Sequence, residues 1–247
     1  MWSRALAFAA LSLLAAPSFA AVTLDAVTYA QCNGCSSLSY SHTIAAGSDL
    51  SLAVAGTVYE LSSAYDDVSG VTHNGSAVAE HCWYSTSSGT VPHYDVGWYV
   101  RVNPTTGSQT VLVTATGAVS GIGSAAISAS GVHQTTPLGT CANATGNSTT
   151  PSVVVSSATN DLVLDAGVID HTGTLTVGSG QTQRWNSIDD NGFVKFFGST
   201  EPGAASVTMN WSNSIGAPLW NTAGVSFKQV SGSVASPPRL MLLGVGP

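Results

Sequence analysis

The sequence predicts an all-β protein, an antiparallel β-sandwich of jelly-roll-like kind with about a dozen strands. Three observations predict it. Apolar and polar residues alternate with period two, as in Trp98-Tyr99-Val100-Arg101-Val102 and Val111-Leu112-Val113-Thr114-Ala115. Clusters of Gly, Pro, Asn, Asp and Ser interrupt these runs about every ten residues. Beyond residue 20, no stretch carries the apolar period of an amphipathic helix.

Residues 1–20 read as a secretion signal. Arg4 supplies the basic start, residues 5–16 an apolar core too short to span a bilayer, and Ser18-Phe19-Ala20 a small-x-small cleavage site. The mature chain is expected to begin at Ala21. Residues 22–29 form a first strand, ended by a Cys32-Asn33-Gly34-Cys35 turn. Leu38, Tyr40, His42 and Ile44 then alternate with hydroxyl residues, and Gly47-Ser48-Asp49 turns the chain into Leu50, Leu52 and Val54. These two strands read as a hairpin. Asn74-Gly75 between short β-prone runs is the strongest two-residue hairpin signal. Residues 80–94 read as a long loop. Residues 98–117 read as a hairpin around Asn103-Pro104-Thr105-Thr106-Gly107, with one face to a core and one to water. Residues 124–132 form a small-residue strand, and residues 140–150 a polar linker. Strands follow at 153–155, 162–169, 181–185, 193–197, 205–211 and 224–228. Residues 21–230 are expected to make one domain, and residues 231–247 a flexible C-terminal tail.

Composition narrows the function. Only 8% of the 247 residues are charged, where about a quarter is usual. The net charge is −7, and Arg101, Arg184, Lys195, Lys228 and Arg239 are scattered. That argues against nucleic acid as a partner and against insertion or adhesion of the mature domain at a membrane. Secretion makes the four cysteines disulfide formers. Four cysteines allow three pairings. The favoured one joins Cys32 to Cys35, which share a turn, and Cys82 to Cys141, which both fall in loop-like sequence.

Several motifs, taken in order, carry a resemblance: Ser41-His42-Thr43, Gly47-Ser48, Val71-Thr72-His73-Asn74-Gly75, Val102-Asn103-Pro104-Thr105-Thr106-Gly107, and Ser130-Gly131-Val132-His133-Gln134-Thr135-Thr136-Pro137. The order resembles a group of secreted bacterial β-sandwich proteins found alone or beside lectin-like jelly-roll modules. The resemblance spans residues 22–228 and implies fold and secretion, with no catalytic residue. The tail, from Ser236-Pro237-Pro238-Arg239 onward, is similar to the beginning of a Pro-Glu-Pro C-terminal sorting signal. It lacks the acidic residue, the full apolar span and the terminal basic cluster.

Candidate site residues are few. No Gly-x-Ser-x-Gly elbow occurs, and neither Asp66-Asp67 nor Asp189-Asp190 makes an acid–base couple, because neighbours on a strand point to opposite faces. Glu80 with Asp190 is a conceivable cross-pair. No catalytic residue is assigned and no enzyme activity is expected. His81, Cys82 and His93 share one segment, but an oxidised Cys82 is no ligand. Asp189, Asp190 and Asn191 around the Gly192 turn have oxygens that suit calcium, the one cofactor considered. Trp83, Tyr84, Tyr94 and Trp185 are the candidate ligand platform, since a flat apolar ring beside polar groups suits a sugar. Trp98, Trp211 and Trp220 read as core.

The function expected is a secreted, non-catalytic cell-surface or matrix module, structural or adhesive, self-assembling through edge strands that few charges guard. The alternative is a carbohydrate-binding module that takes a surface polysaccharide through loop aromatics with calcium. A glycoside-acting hydrolase is third.

Overall fold

A computed structural model describes residues 21–61, 68–86, 92–170 and 173–230. Residues 1–20, expected as a leader, Asp66-Asp67, His171 and residues 231–247 lie outside the described residues. The fold is all-β and antiparallel, with fourteen strands among the described residues: β1 Thr23–Ile44, β2 Ser51–Glu60, β3 Val68–His73, β4 Ser76–Ser85, β5 His93–Val102, β6 Gly107–Ser130, β7 Ala142–Asn147, β8 Ser152–Ser156, β9 Leu162–Ile169, β10 Leu175–Val177, β11 Thr182–Ile188, β12 Lys195–Pro202, β13 Ser206–Asn213 and β14 Leu219–Phe227. No helix occurs among the described residues.

The first six strands form one sheet, ordered β1-β6-β2-β5-β4-β3, and an additional β3–β6 pairing closes it into a barrel. Closure depends on a sharp bend in β1 and β6. His42 Nδ1 lies 2.9 Å from Thr28 Oγ1, although the two residues stand 14 apart in one strand. Extended, that separation is about 46 Å at roughly 3.3 Å per residue. The strand therefore doubles back. The bend falls where the β1–β6 register breaks between Cys35 and Ser37, opposite Val119 and Thr114. The extra residues of β6 there form a bulge, the usual device for turning a sheet corner. Cys32 and Cys35 are disulfide-linked at this corner, with Gly34 between them at φ +60°. Beyond the bend, residues 111–115 of β6 pair with β3, while residues 121–129 pair with β2.

The second half adds a five-stranded sheet, β11-β12-β9-β14-β7, and a three-stranded sheet, β10-β13-β8. The sheets stack, and alternation sorts the side chains between them. On β9, Leu164, Ala166 and Val168 join Ala53, Trp98 and Ile127 in the core against the barrel wall. Val163 on the opposite face joins Val155, Val207 and Met209 under the small sheet. Ile169, Phe197 and Trp211 continue that second layer. A third core fills the barrel, with Leu52, Val54, Tyr99, Val111 and Val113. Cys82–Cys141 ties β4 to the residue before β7, so both disulfides form as expected.

Stacking on both sides explains where the structure departs from the sequence reading. The 98–102 strand does not show one face to water: β5 is buried from His93 to Tyr99. Nor do β5 and β6 pair as a hairpin. β5 lies between β2 and β4, and the Asn103–Gly107 connection crosses over instead of folding back. The 38–44 and 50–54 segments are not a hairpin either, because β1 pairs with β6 and β2 pairs with β5 and β6. Within the 80–94 stretch, residues 80–85 end β4 and residues 93–94 begin β5, and the 140–150 linker contains β7. The Asn74-Gly75 hairpin is present: His73 pairs with Ser76, and both turn residues have positive φ, 50° and 70°.

Candidate functional site

The four aromatic residues expected to hold a ligand serve the cores instead. Tyr94 is 1% exposed and Trp185 6% exposed. Trp185 stacks on Tyr29 with centroids 6.2 Å apart and planes 9° from parallel, and its indole covers Gly198. Trp83 and Tyr84 are half-buried neighbours on β4 that pack into different cores. Trp83 faces the barrel beside Tyr99, while Tyr84 packs on the layer core. The four therefore share no open platform. Trp98, Trp211 and Trp220 are buried as expected, and their indole N–H groups donate to the Ala223 carbonyl, the Asp165 carboxylate and the Ser148 hydroxyl.

The Asp189-Asp190-Asn191 segment is a turn whose chemistry does not suit calcium. The buried Asp189 carboxylate accepts five hydrogen bonds: from the Asn33 amide, the Tyr59 hydroxyl, and the backbone N–H groups of Asn191, Phe193 and Val194. Those donors point hydrogens, not lone pairs, at the oxygens a cation would need. Burial alone would raise the Asp189 pKa, but the donors outweigh it and hold the carboxyl below its ordinary value. Asp189 thus locks the β11–β12 turn onto β1 and β2. Asp190 accepts from Gln31 Nε2 at 3.3 Å, whereas Glu80 is exposed on β4, opposite Tyr99 of β5.

His81, Cys82 and His93 do not converge on a metal. Cys82 is oxidised, His81 Nε2 bonds the Gly139 carbonyl at 2.8 Å, and His93 Nε2 lies 3.4 Å from Asp95 inside the barrel. Among the described residues, no three His, Cys, Asp or Glu side chains gather as metal ligands.

The structure adds two polar centres that the sequence reading missed. Inside the bent barrel, His42 Nδ1 meets Thr28 Oγ1, His42 Nε2 lies 3.1 Å from Ser128 Oγ, and Ser128 donates to Asp25 at 2.7 Å. These are the residue types of a nucleophilic triad, but the serine stands between histidine and aspartate. A triad places the histidine there, so that it can take the serine proton. Ser128 is also fully buried. Burial and the nearby His73 push the His42 pKa down to about 4, against a smaller opposing pull from Asp25. His42 alternates in step with the buried Leu38 and Ile44 on β1, but its partners come from beyond the bend. The second centre is Asp165, between the two C-terminal sheets. It accepts from Ser199 N and Ser199 Oγ, both at 2.6 Å, and from Trp211 Nε1 at 2.7 Å. Burial raises its pKa to about 6 even against these donors.

The outer half of β1 lies at a sheet edge. Past the bend, β1 pairs with β6 along one edge. No strand pairs with its other edge among the described residues. Leu38, His42 and Ile44 turn inward and are buried, while Ser37, Ser39, Ser41 and Thr43 are exposed. Opposite them, Ser108 and Thr110 of β6 extend the hydroxyl face, and Ser41 Oγ lies 2.7 Å from Ser108 Oγ. No Asp, Glu, Lys or Arg lies on this half of β1.

Compared with known proteins, the chain matches no family model, no curated protein and no solved structure. Two disulfides are compatible with an extracellular protein. No helix among the described residues is long and apolar enough to cross a membrane.

Proposed function

We propose that the chain is a secreted, non-catalytic surface or matrix module that assembles with copies of itself through the outer edge of β1. The observation that supports this reading is the edge at residues 37–44. Natural sheets guard such edges with lysine, proline, inward charge or a covering element. Here the outward positions are hydroxyls, and strand β1 contains no proline and no lysine. An edge with free N–H and C=O groups is a template for β-strand addition, in which main-chain bonds supply affinity. Ser39 and Ser41 would pair across two copies without a charge to repel them.

Light scattering after size exclusion on the chain from Ala21 tests this reading. The wild type is expected as a dimer or larger species, and Ser39→Lys with Ser41→Lys as a monomer of unchanged fold. A wild-type monomer at all concentrations, or a double variant with the wild-type mass, would overturn it.

A further inference from the structure

A cleft of about 530 Å³ opens where β9 ends and β14 begins, lined by Asn147, Asp170 and the Gly216–Leu219 segment. A smaller hollow of about 280 Å³ adjoins it, sharing Asn147 and Leu219 and adding Thr86, Thr145 and the edge of Trp220. Backbone hydrogen bonds tie the walls together. Leu219 pairs with Asn147 in the β7–β14 ladder, Asp170 N donates to the Leu219 carbonyl at 2.8 Å, and Ser148 N donates to the Pro218 carbonyl at 3.2 Å. The Asp170 carboxylate stands beside the buried Tyr94 hydroxyl, whose pKa is raised by burial first and by Asp170 next. Leu219 is 40% exposed and Ile215 46%, two of the few large apolar side chains left open to solvent.

We propose that this cleft binds a neutral saccharide, one or two pyranose rings in size. The chemistry of the lining selects that class. A carboxylate accepts two neighbouring ring hydroxyls at once, and a primary amide such as Asn147 offers an acceptor and a donor together. Leu219 and Pro218 supply an apolar wall for the C–H face of the ring. Phosphate and carboxylate ligands are disfavoured, since among the described residues no Lys or Arg lines either hollow and Asp170 would repel them. Quaternary ammonium ligands need an aromatic face, and Trp220 is 6% exposed and turned to the core. The volume lies within the usual range for small-molecule sites, about 300–1,000 Å³. This site is separate from the β1 edge and does not depend on self-association. It also differs from the aromatic platform expected from sequence, because its polar groups are Asp170 and Asn147.

Amide chemical-shift mapping on the isotope-labelled chain from Ala21 tests the proposal. The probes are the methyl glycosides of glucose, galactose and mannose, with methylammonium as a cation control. At least one glycoside should give saturable shifts centred on Asn147, Gly216, Ala217 and Leu219. Asp170→Ala and Asn147→Ala should each weaken it about tenfold or more. Both variants should keep the wild-type spectrum elsewhere and the wild-type solution mass. Asn147 is exposed, so its variant is informative even if Asp170→Ala destabilises the fold. No saturable shift with any glycoside, shifts that ignore Asn147→Ala, or methylammonium binding the cleft more tightly than the sugars would overturn the proposal.

Discussion

His42 Nε2 lies 3.1 Å from Ser128 Oγ across the interior of the barrel, joining the outer half of β1 to the inner half of β6. The contact exists only because both strands bend at the Cys32–Cys35 corner. It places a neutral imidazole where protonation is costly, and that cost sets a pH dependence.

The folded-state pKa of His42, about 4, lies below its ordinary value of 6.5, so the unfolded chain takes up the proton first as pH falls. Stability from this residue is full above pH 6.5 and is lost by pH 4, a change of about 3 kcal/mol. Asp165 works in the opposite direction. Its folded pKa, about 6, lies above its ordinary 3.8. Its contribution is therefore full below pH 3.8 and falls by about 3 kcal/mol as pH rises to 6. The two terms offset each other over most of the same window. Relative to the wild type, urea midpoints from pH 4 to 7 should move in opposite directions in the two variants. By that measure they should fall with rising pH in His42→Phe and rise with it in Asp165→Asn. Parallel profiles for all three proteins would contradict these environments.

Asp189→Ala should destabilise the protein by about 3 kcal/mol, because five donors lose a common acceptor and the Tyr59 hydroxyl is left buried. Millimolar calcium should leave the melting temperature of the wild type unchanged. A calcium-dependent rise that vanishes in Asp189→Ala would show that the oxygens are open to a cation after all.

Gly97 lies in the middle of β5 under the Trp83 ring. A Cβ there would sit 2.6 Å from the Cys82 carbonyl oxygen and press on the indole. Backbone on one side and a packed ring on the other leave no room to relax. Gly97→Ala should cost about 3 kcal/mol, read from chemical denaturation, with Trp83 fluorescence shifted toward that of a solvated indole. A variant as stable as wild type would mean that β4 and β5 separate more easily than their register implies.

Cys82–Cys141 closes a loop of 59 residues between the barrel and the five-stranded sheet. Replacing both cysteines with alanine should cost about 4 kcal/mol, most of it through the greater freedom of the unfolded chain. Calorimetry on the double variant measures it directly.

The sequence made the strand content legible, because period-two alternation and turn chemistry are local. All six strands read between residues 153 and 228 overlap observed strands, with bounds off by up to five residues at the end of β12 and the start of β14, while the short β10 was not read. The Asn74-Gly75 hairpin was readable for the same reason. Pairing partners were not. β5 looked like half of a hairpin because Asn103 and Gly107 are turn formers, and both do adopt positive φ. Its burial on two faces decided otherwise, and that burial comes from layers built by distant sequence. The aromatic residues misled for a related reason: loop-like composition around Trp83 and Tyr94 concealed strands that pack inward. Asp189 shows the limit most plainly. Its neighbours Asp190, Asn191 and Gly192 suggested calcium, but the donors that satisfy it include Asn33 and Tyr59, more than a hundred residues away.

The claim that the outer edge of β1 joins copies of the protein is tested most directly by hydrogen exchange across a dilution series of the chain from Ala21. The amides of residues 37–44 that do not bond to β6 should be protected at high protein concentration and exchange freely at low concentration, while the buried strands stay unchanged. Ser39→Lys with Ser41→Lys should abolish the concentration dependence. Free exchange at every concentration, or protection that dilution never releases, would contradict assembly through this edge.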